Sequence, residues 1–380
     1  MNKTLIVAII ILSIFSSCKR NEYKRSFCYW DTKFETSNYE DSITKNMAVE
    51  HRYIRYFDVD WDFLTEHAFP VQTIDIDGDT AFVSYPFTPS IFITNQVFEQ
   101  ADKQSLDSLA LKIKNRILQV NIVAVQQYKT YINWHQTKEG YYTSGGHFDK
   151  DSLGRIAQGK IKDNFKDLLI DCDWTPKTKE NYFYFLTRLK KAFPDKQLSV
   201  TLRLWQYKYR KENGIPPVER CLLMCYNLSD IQKHDTKNSI ASAKDIAPYL
   251  LSEQYPHKLD IVLPLFSWGV IYQKGRYKGI VPYDDDLRSF MQLNAQDTIS
   301  ENNYSLKKDY VYSSRLYLRA GDEIRIENIS KNEMFQIINL LKNNIDLDTN
   351  SRISFFSWNT NYIQNYGNKT ISKFYEAFNN

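Results

Sequence analysis

The sequence predicts an α/β chain folded as a (β/α)8 TIM barrel, with an inserted hairpin and a long loop between strands 6 and 7. Three observations predict it. Eight short runs rich in β-branched and aromatic residues recur, at 53–59, 90–95, 167–174, 198–205, 220–227, 259–266, 323–328 and 352–358. Such apolar runs suit strands of a parallel sheet buried on both faces. Stretches of helical periodicity fall between most of them, the alternation that βα units produce. Glycine is scarce, at 12 residues, and no glycine-rich phosphate fingerprint follows a strand, which disfavours the doubly wound open sheet that is the alternative. Eight units over residues 51–380 fit a barrel that typically takes about 250 residues plus insertions.

Taken in chain order, the N-terminus comes first. MNKTLIVAIIILSIFSSC places a basic Lys3 before an apolar run, Leu5 to Phe15, and then Ser16-Ser17-Cys18. Basic, apolar, small is the order of a secretory signal peptide. The apolar run is too short to span a bilayer, which takes about 20 residues as a helix. Cysteine directly after small residues resembles the lipobox of bacterial lipoproteins. That resemblance implies cleavage before Cys18 and lipid on Cys18; simple secretion, with Cys18 left in the discarded peptide, is the alternative. The expected division is 1–17 signal peptide, 18–50 lipidated Cys and tether with a first packed segment near Phe27 to Trp30, and 51–380 barrel. Lys19 and Arg20 differ from the acidic surface-export signals of many Bacteroidetes lipoproteins. The expected location is therefore the cell envelope, anchored to the outer membrane and facing the periplasm.

Between the first two runs, VQTIDID and TAFVSYP flank Asp77-Gly78-Asp79, which suggests the hairpin. Leu106, Leu109, Ile113 and Ile117 stand at helical spacing after the second run. Thr175-Pro176 reads as the N-cap and first turn of the helix after the third run. Ser330 with Glu333 reads as a capping box after the seventh. Residues 134–165 and 267–321 are long for plain connections. Only the second lies on a strand-to-helix side, the end of a barrel where active sites sit.

Composition narrows the function. Aromatic residues make up 15% of the chain, enough for a large core and for a surface on which flat or ring-shaped ligands stack. The net charge of +4, without long basic blocks, argues against nucleic acid. Cys28, Cys172, Cys221 and Cys225 lack metal-ligand spacing, and Cys221 and Cys225 share one strand too far apart to bond. They read as small buried thiols. The six histidines show no ligand spacing and read as surface or packing residues. Tyr283 to Ser289, with three adjacent acids, lacks the alternation of a calcium loop and reads as a turn or helix start. No metal or cofactor is expected.

The strand ends carry the candidate chemistry. Asp58, Asp171, Asp173 and Glu327 are the candidate catalytic acids. Arg203, Gln206, Tyr226, Asn227, Trp268, Trp358 and Asn95 are the candidate substrate-binding residues. Acids ringed by aromatic and amide side chains suit carbohydrate, since sugar faces stack on rings and hydroxyls need paired donors and acceptors. Glycoside hydrolysis uses two carboxyls, about 5–5.5 Å apart for retention and about 6.5–9.5 Å for inversion. Asp173, nearer the rim, reads as general acid or base with Glu327 or Asp58 as its partner. The competing structural readings are ion pairs of Asp171 with Arg203, Asp58 with Arg55 and Glu327 with Arg325.

Asp171-Cys172-Asp173-Trp174 resembles part of the D-x-D-x-E motif of family 18 chitinase-like glycoside hydrolases, which are TIM barrels. The resemblance implies a Glu that protonates the glycosidic oxygen while the substrate's N-acetyl group attacks; this chain has Thr175 at that position. Leu223 to Asn227 resembles that family's Met-x-Tyr-Asp, with Asn227 in place of the Asp, and Phe355 to Trp358 resembles its last-strand Trp floor. The third run here would be the fourth strand there. The chain as a whole is similar to Bacteroidetes TIM-barrel proteins, many with lipoprotein signals, through FDVDW, IDCDWT and LPLFSWG. The expected function is an exported lipoprotein acting on glycan by carboxylate acid/base chemistry. The alternative is a non-catalytic glycan-binding or structural envelope lipoprotein on a degenerate barrel.

Overall fold

The computed structural model describes residues 22–379 apart from 78–79, 139–149, 251–252, 294–296, 301 and 314–315. Cys18 and the signal-like segment lie outside the described residues. Eight parallel strands close into a barrel: β1 (Lys24–Tyr29), β2 (His51–Asp62), β3 (Phe87–Ile93), β4 (Asp167–Asp171), β5 (Gln197–Arg203), β6 (Arg220–Met224), β7 (Lys258–Pro264) and β8 (Arg352–Phe356). β1 closes the ring, pairing Phe27 with Phe355 of β8 and Cys28 with Tyr53 of β2. The chain is a (β/α)8 barrel, as expected, but its eight strands are not the expected eight.

Two differences account for this. β1 lies in the expected tether, so the barrel begins near Lys24 rather than at residue 51. Its charged start hides it: Lys24 is exposed, and Arg25 donates to the Met47 carbonyl. The run at 323–328 belongs instead to a five-stranded antiparallel sheet, between strands Trp268–Gln273 and Asn303–Ser305. EIRIE alternates apolar and charged side chains, the pattern of an antiparallel strand rather than of a barrel stave. Counting β1 moves the Asp171 run to the fourth barrel strand.

The long loop therefore falls between β7 and β8, and it is folded. Its sheet, with helix Asp285–Leu293, encloses a second hydrophobic core of Ile271, Val281, Leu287, Phe290, Ile324 and their neighbours. The expected hairpin around Asp77-Gly78-Asp79 does not form. β2 instead turns back on itself through His67–Val71, while Asp75–Ile76 pairs with Lys33–Phe34 and Ala81–Ser84 is helical.

Helices clothe the barrel. The longest, Lys103–Lys138, buries Leu106, Leu109, Ile113 and Ile117 at the expected spacing. Helix Lys179–Ala192 starts one turn later than expected, with Thr178 as N-cap; Thr175 and Pro176 form the preceding turn. Ser330 caps Lys331–Asn344 through the Glu333 amide, but the Glu333 carboxylate accepts from Ala243 N at 2.6 Å, so the box is only half built. All four described cysteines are buried free thiols.

The barrel's N-terminal end is sealed by a polar layer. Asp260 accepts from Tyr53 Oη at 2.8 Å, Arg220 Nη1 at 2.9 Å and Arg352 N at 2.7 Å, and Arg352 also pairs with Asp167. His51 bridges Ser26 and Thr88 within this layer, as a packing histidine. Buried charges need such complete pairing, and at this end of a barrel they serve stability.

Candidate functional site

At the opposite end, β2 and β4 bring acids to one level through their pairing with β3. Asp58 registers with Phe92, and Phe92 with Asp171. Asp171 is 8% exposed and accepts from Thr201 Oγ1 at 2.7 Å. Burial pushes its carboxyl up to about 6; the Thr201 bond and Arg203 act against the rise, and Asp173 and Asp58 add to it. The expected ion pair of Asp171 with Arg203 is replaced by another. Arg203 grips Asp173 in a two-pronged bond, Nε to Oδ1 at 2.7 Å and Nη2 to Oδ2 at 3.0 Å. β4 ends at Asp171, so Asp173 stands two residues beyond the strand, and the long side chain of Arg203 at the end of β5 meets this outer acid.

The other candidates divide sharply. Asp58 is tied to Arg55, whose Nε reaches Oδ1 at 2.7 Å and whose Nη2 also binds Gln72. Glu327 is not on the barrel rim. It is 1% exposed and accepts from Arg325 Nε at 2.8 Å, Ser239 N at 2.9 Å, Ser239 Oγ at 2.5 Å and Trp268 Nε1 at 2.8 Å. Oε1 accepts the Arg325 bond and Oε2 the other three, so Glu327 braces the inserted sheet against the loop after β6 and orients Trp268. Gln206 is fully buried, accepting from Arg203 N and donating to the Trp174 carbonyl, and so organises the turn after β5. Asn95 opens helix Asn95–Gln100 and accepts from Thr178 Oγ1 at 2.6 Å. Asn227 is exposed at φ 57°, a left-handed conformation that Asn tolerates. Thr175 engages Thr178 and supplies no carboxyl.

The aromatic residues form the clearest construction. Trp30 meets Phe356 at 5.4 Å between ring centroids, Phe356 meets Tyr226 at 5.4 Å and Phe266 at 6.0 Å, and Phe266 meets Trp268 at 4.8 Å. Trp30, Phe356 and Trp268 are each half-buried, so this arc keeps ring surface at the rim. Tyr226 is buried beneath it; burial raises its pKa well above the ordinary value, and Arg203, Asp171 and Asp173 all act on it. Trp358, the expected floor, is 5% exposed and packs edge-on against Phe27 at 5.0 Å. Phe356 takes the rim position two residues earlier. Sequence reasoning missed Trp30, Phe266 and Phe356 as site residues. The signal was present in β8, where Phe355 and Phe356 must face opposite sides of the strand.

The fold and rim define a (β/α)8 barrel whose C-terminal end presents an aromatic arc beside an Arg-clasped carboxylate. No protein-family model matches the chain, and no curated protein matches it by sequence. Among solved structures it is similar to the spore cortex-lytic enzyme SleL of Bacillus cereus, at 14% identity and TM-score 0.45 over 93% of this chain and 75% of that one. It is also similar to a xylanase and α-amylase inhibitor protein from Scadoxus multiflorus, at 9% identity and TM-score 0.41 over 93% and 97% of the two chains. A third likeness is to active domain 2 of a Pyrococcus furiosus chitinase complexed with chito-oligosaccharides, at 10% identity and TM-score 0.35 over 93% and 96%. The barrel assignment rests on the strand pairing itself.

Proposed function

We propose that this protein is an exported, Cys18-anchored lipoprotein whose barrel rim binds carbohydrate without cutting it. The observation that carries this reading is the half-buried arc of Trp30, Phe356 and Trp268 next to the Asp173–Arg203 pair. Rings give a sugar face a stacking surface, and a clasped carboxylate and guanidinium give its hydroxyls an acceptor and donors. Hydrolysis by a D-x-D-x-E route lacks its proton donor at Thr175. Asp173, with both oxygens on Arg203, is engaged as a carboxylate, and Glu327 is sealed in the insert. A second reading, hydrolysis, is favoured by one group only: Asp171, whose carboxyl burial pushes up to about 6, closer to the working range of a proton donor than an ordinary carboxyl. Wild type and Asp173→Asn on a glycan array, followed by mass analysis of the bound glycan, separate the two. Intact glycan retained by wild type supports the binder, and shortened products support the hydrolase. For the anchor, Cys18→Ala should move the protein out of the membrane fraction; unchanged partition would refute it.

A further inference from the structure

The barrel's sealed end carries a second surface unrelated to the rim. Helix Lys103–Lys138, helix Lys150–Asn164 and the 192–196 connection into β5 enclose a groove of about 850 Å³. Residues 192–196 and Phe165 lead into the N-terminal ends of β5 and β4, which fixes the groove at that end. Leu118 and Ile122 stand in it 48% and 57% exposed. Lys114, Lys129 and Lys162 edge it, and Lys196 is there too, paired with Asp195 at 3.4 Å. The longer helix is strongly basic around it, with four Lys or Arg and no acid in 111–134, and the second is mildly so, with three Lys or Arg against Asp151 and Asp163 in 151–164.

We infer that this groove is a membrane-contacting surface that seats the barrel's sealed end on an anionic lipid headgroup layer. An apolar floor edged by lysines is the arrangement that lies at the headgroup–acyl boundary. A second copy would set two basic edges face to face, which opposes self-association. The chain also enters β1 at Lys24, at this same end of the barrel. Cys18 is six residues away in sequence, a reach of about 20 Å at most, so a lipid there would hold this end, not the rim, toward the bilayer. The rim would then face away from the membrane, open to ligand.

The test uses protein beginning at Lys19, which contains every described element and no lipid, so it is independent of both the anchor and the glycan reading. It is sedimented with vesicles of phosphatidylglycerol and phosphatidylcholine, and with vesicles of phosphatidylcholine alone. Binding to the anionic vesicles, weakened by salt, is expected. The triple substitution Lys114→Glu, Lys129→Glu, Lys162→Glu should weaken it at least about tenfold, and Ile122→Ser should also weaken it, both with unchanged circular dichroism. Absence of binding to anionic vesicles overturns the inference, as does equal binding to both vesicle types that ignores the substitutions. A concentration-dependent dimer abolished by Ile122→Ser overturns it too, by giving the groove to a second copy.

Discussion

Replacing Asp171 by Asn should make the protein more stable at neutral pH, even though it alters a buried acid of the site. Burial raises the folded-state carboxyl to about 6, against an ordinary value of 3.8. Below pH 3.8 the group is protonated in both folded and unfolded chains and contributes nothing to the difference. As pH rises toward 6 the unfolded chain releases its proton first, so the folded state loses ground. Above 6 the loss is complete. The gap between 3.8 and about 6, at 1.36 kcal/mol per pH unit, is about 3 kcal/mol. Asn keeps an oxygen for the Thr201 hydroxyl, and, being neutral, it is not repelled by the charges of Asp173 and Asp58. Urea unfolding of wild type and variant at pH 7.5 and pH 3.5 measures this directly. The variant should gain up to about 3 kcal/mol at pH 7.5 and little at pH 3.5. A variant destabilised at pH 7.5, or one whose advantage does not shrink on acidification, would refute the burial argument.

Three further outcomes follow from the same geometry. Asp260→Ala strands Arg220, Arg352 and Tyr53 in the sealed end, and should cost about 3–5 kcal/mol in urea unfolding. Glu327→Gln places an amide against donors from Arg325, Ser239 and Trp268. It should cost about 2 kcal/mol and shift the Trp268 fluorescence, while leaving the Asp173–Arg203 pair intact. Arg203→Met removes the clasp on Asp173. Because Asp173 is 47% exposed, stability should change little, while glycan binding should fall at least about tenfold; unchanged binding would remove this pair from the site.

Much of the barrel was legible because its interior strands are continuous apolar runs, a pattern that survives without tertiary context. β1 was not, since Lys24 and Arg25 at its start are charged, the buried Ser26 is polar, and only Phe27 to Tyr29 read as an apolar run. The 323–327 strand was mistaken for a stave although Ile324 and Ile326 alternate with Arg325 and Glu327; both faces are buried, which made it look like core. At the site, the polar strand ends were identified, but their pairings depend on reach between strands. Nothing in the spacing distinguished Asp171 from Asp173 as the partner of Arg203. Trp358 was misplaced because the chain turns inward after β8, leaving Phe356 at the rim.

The most direct test of the central reading is to mix the protein with an array glycan that it retains and to weigh that glycan afterwards, alongside binding by Trp30→Ala and Phe356→Ala. Rings truncated at a stacking surface should lower affinity at least about tenfold each, and the glycan bound by wild type should come back at its original mass. Shortened glycan, or full affinity in both ring variants, would contradict a rim that holds carbohydrate by its aromatic arc without cleaving it.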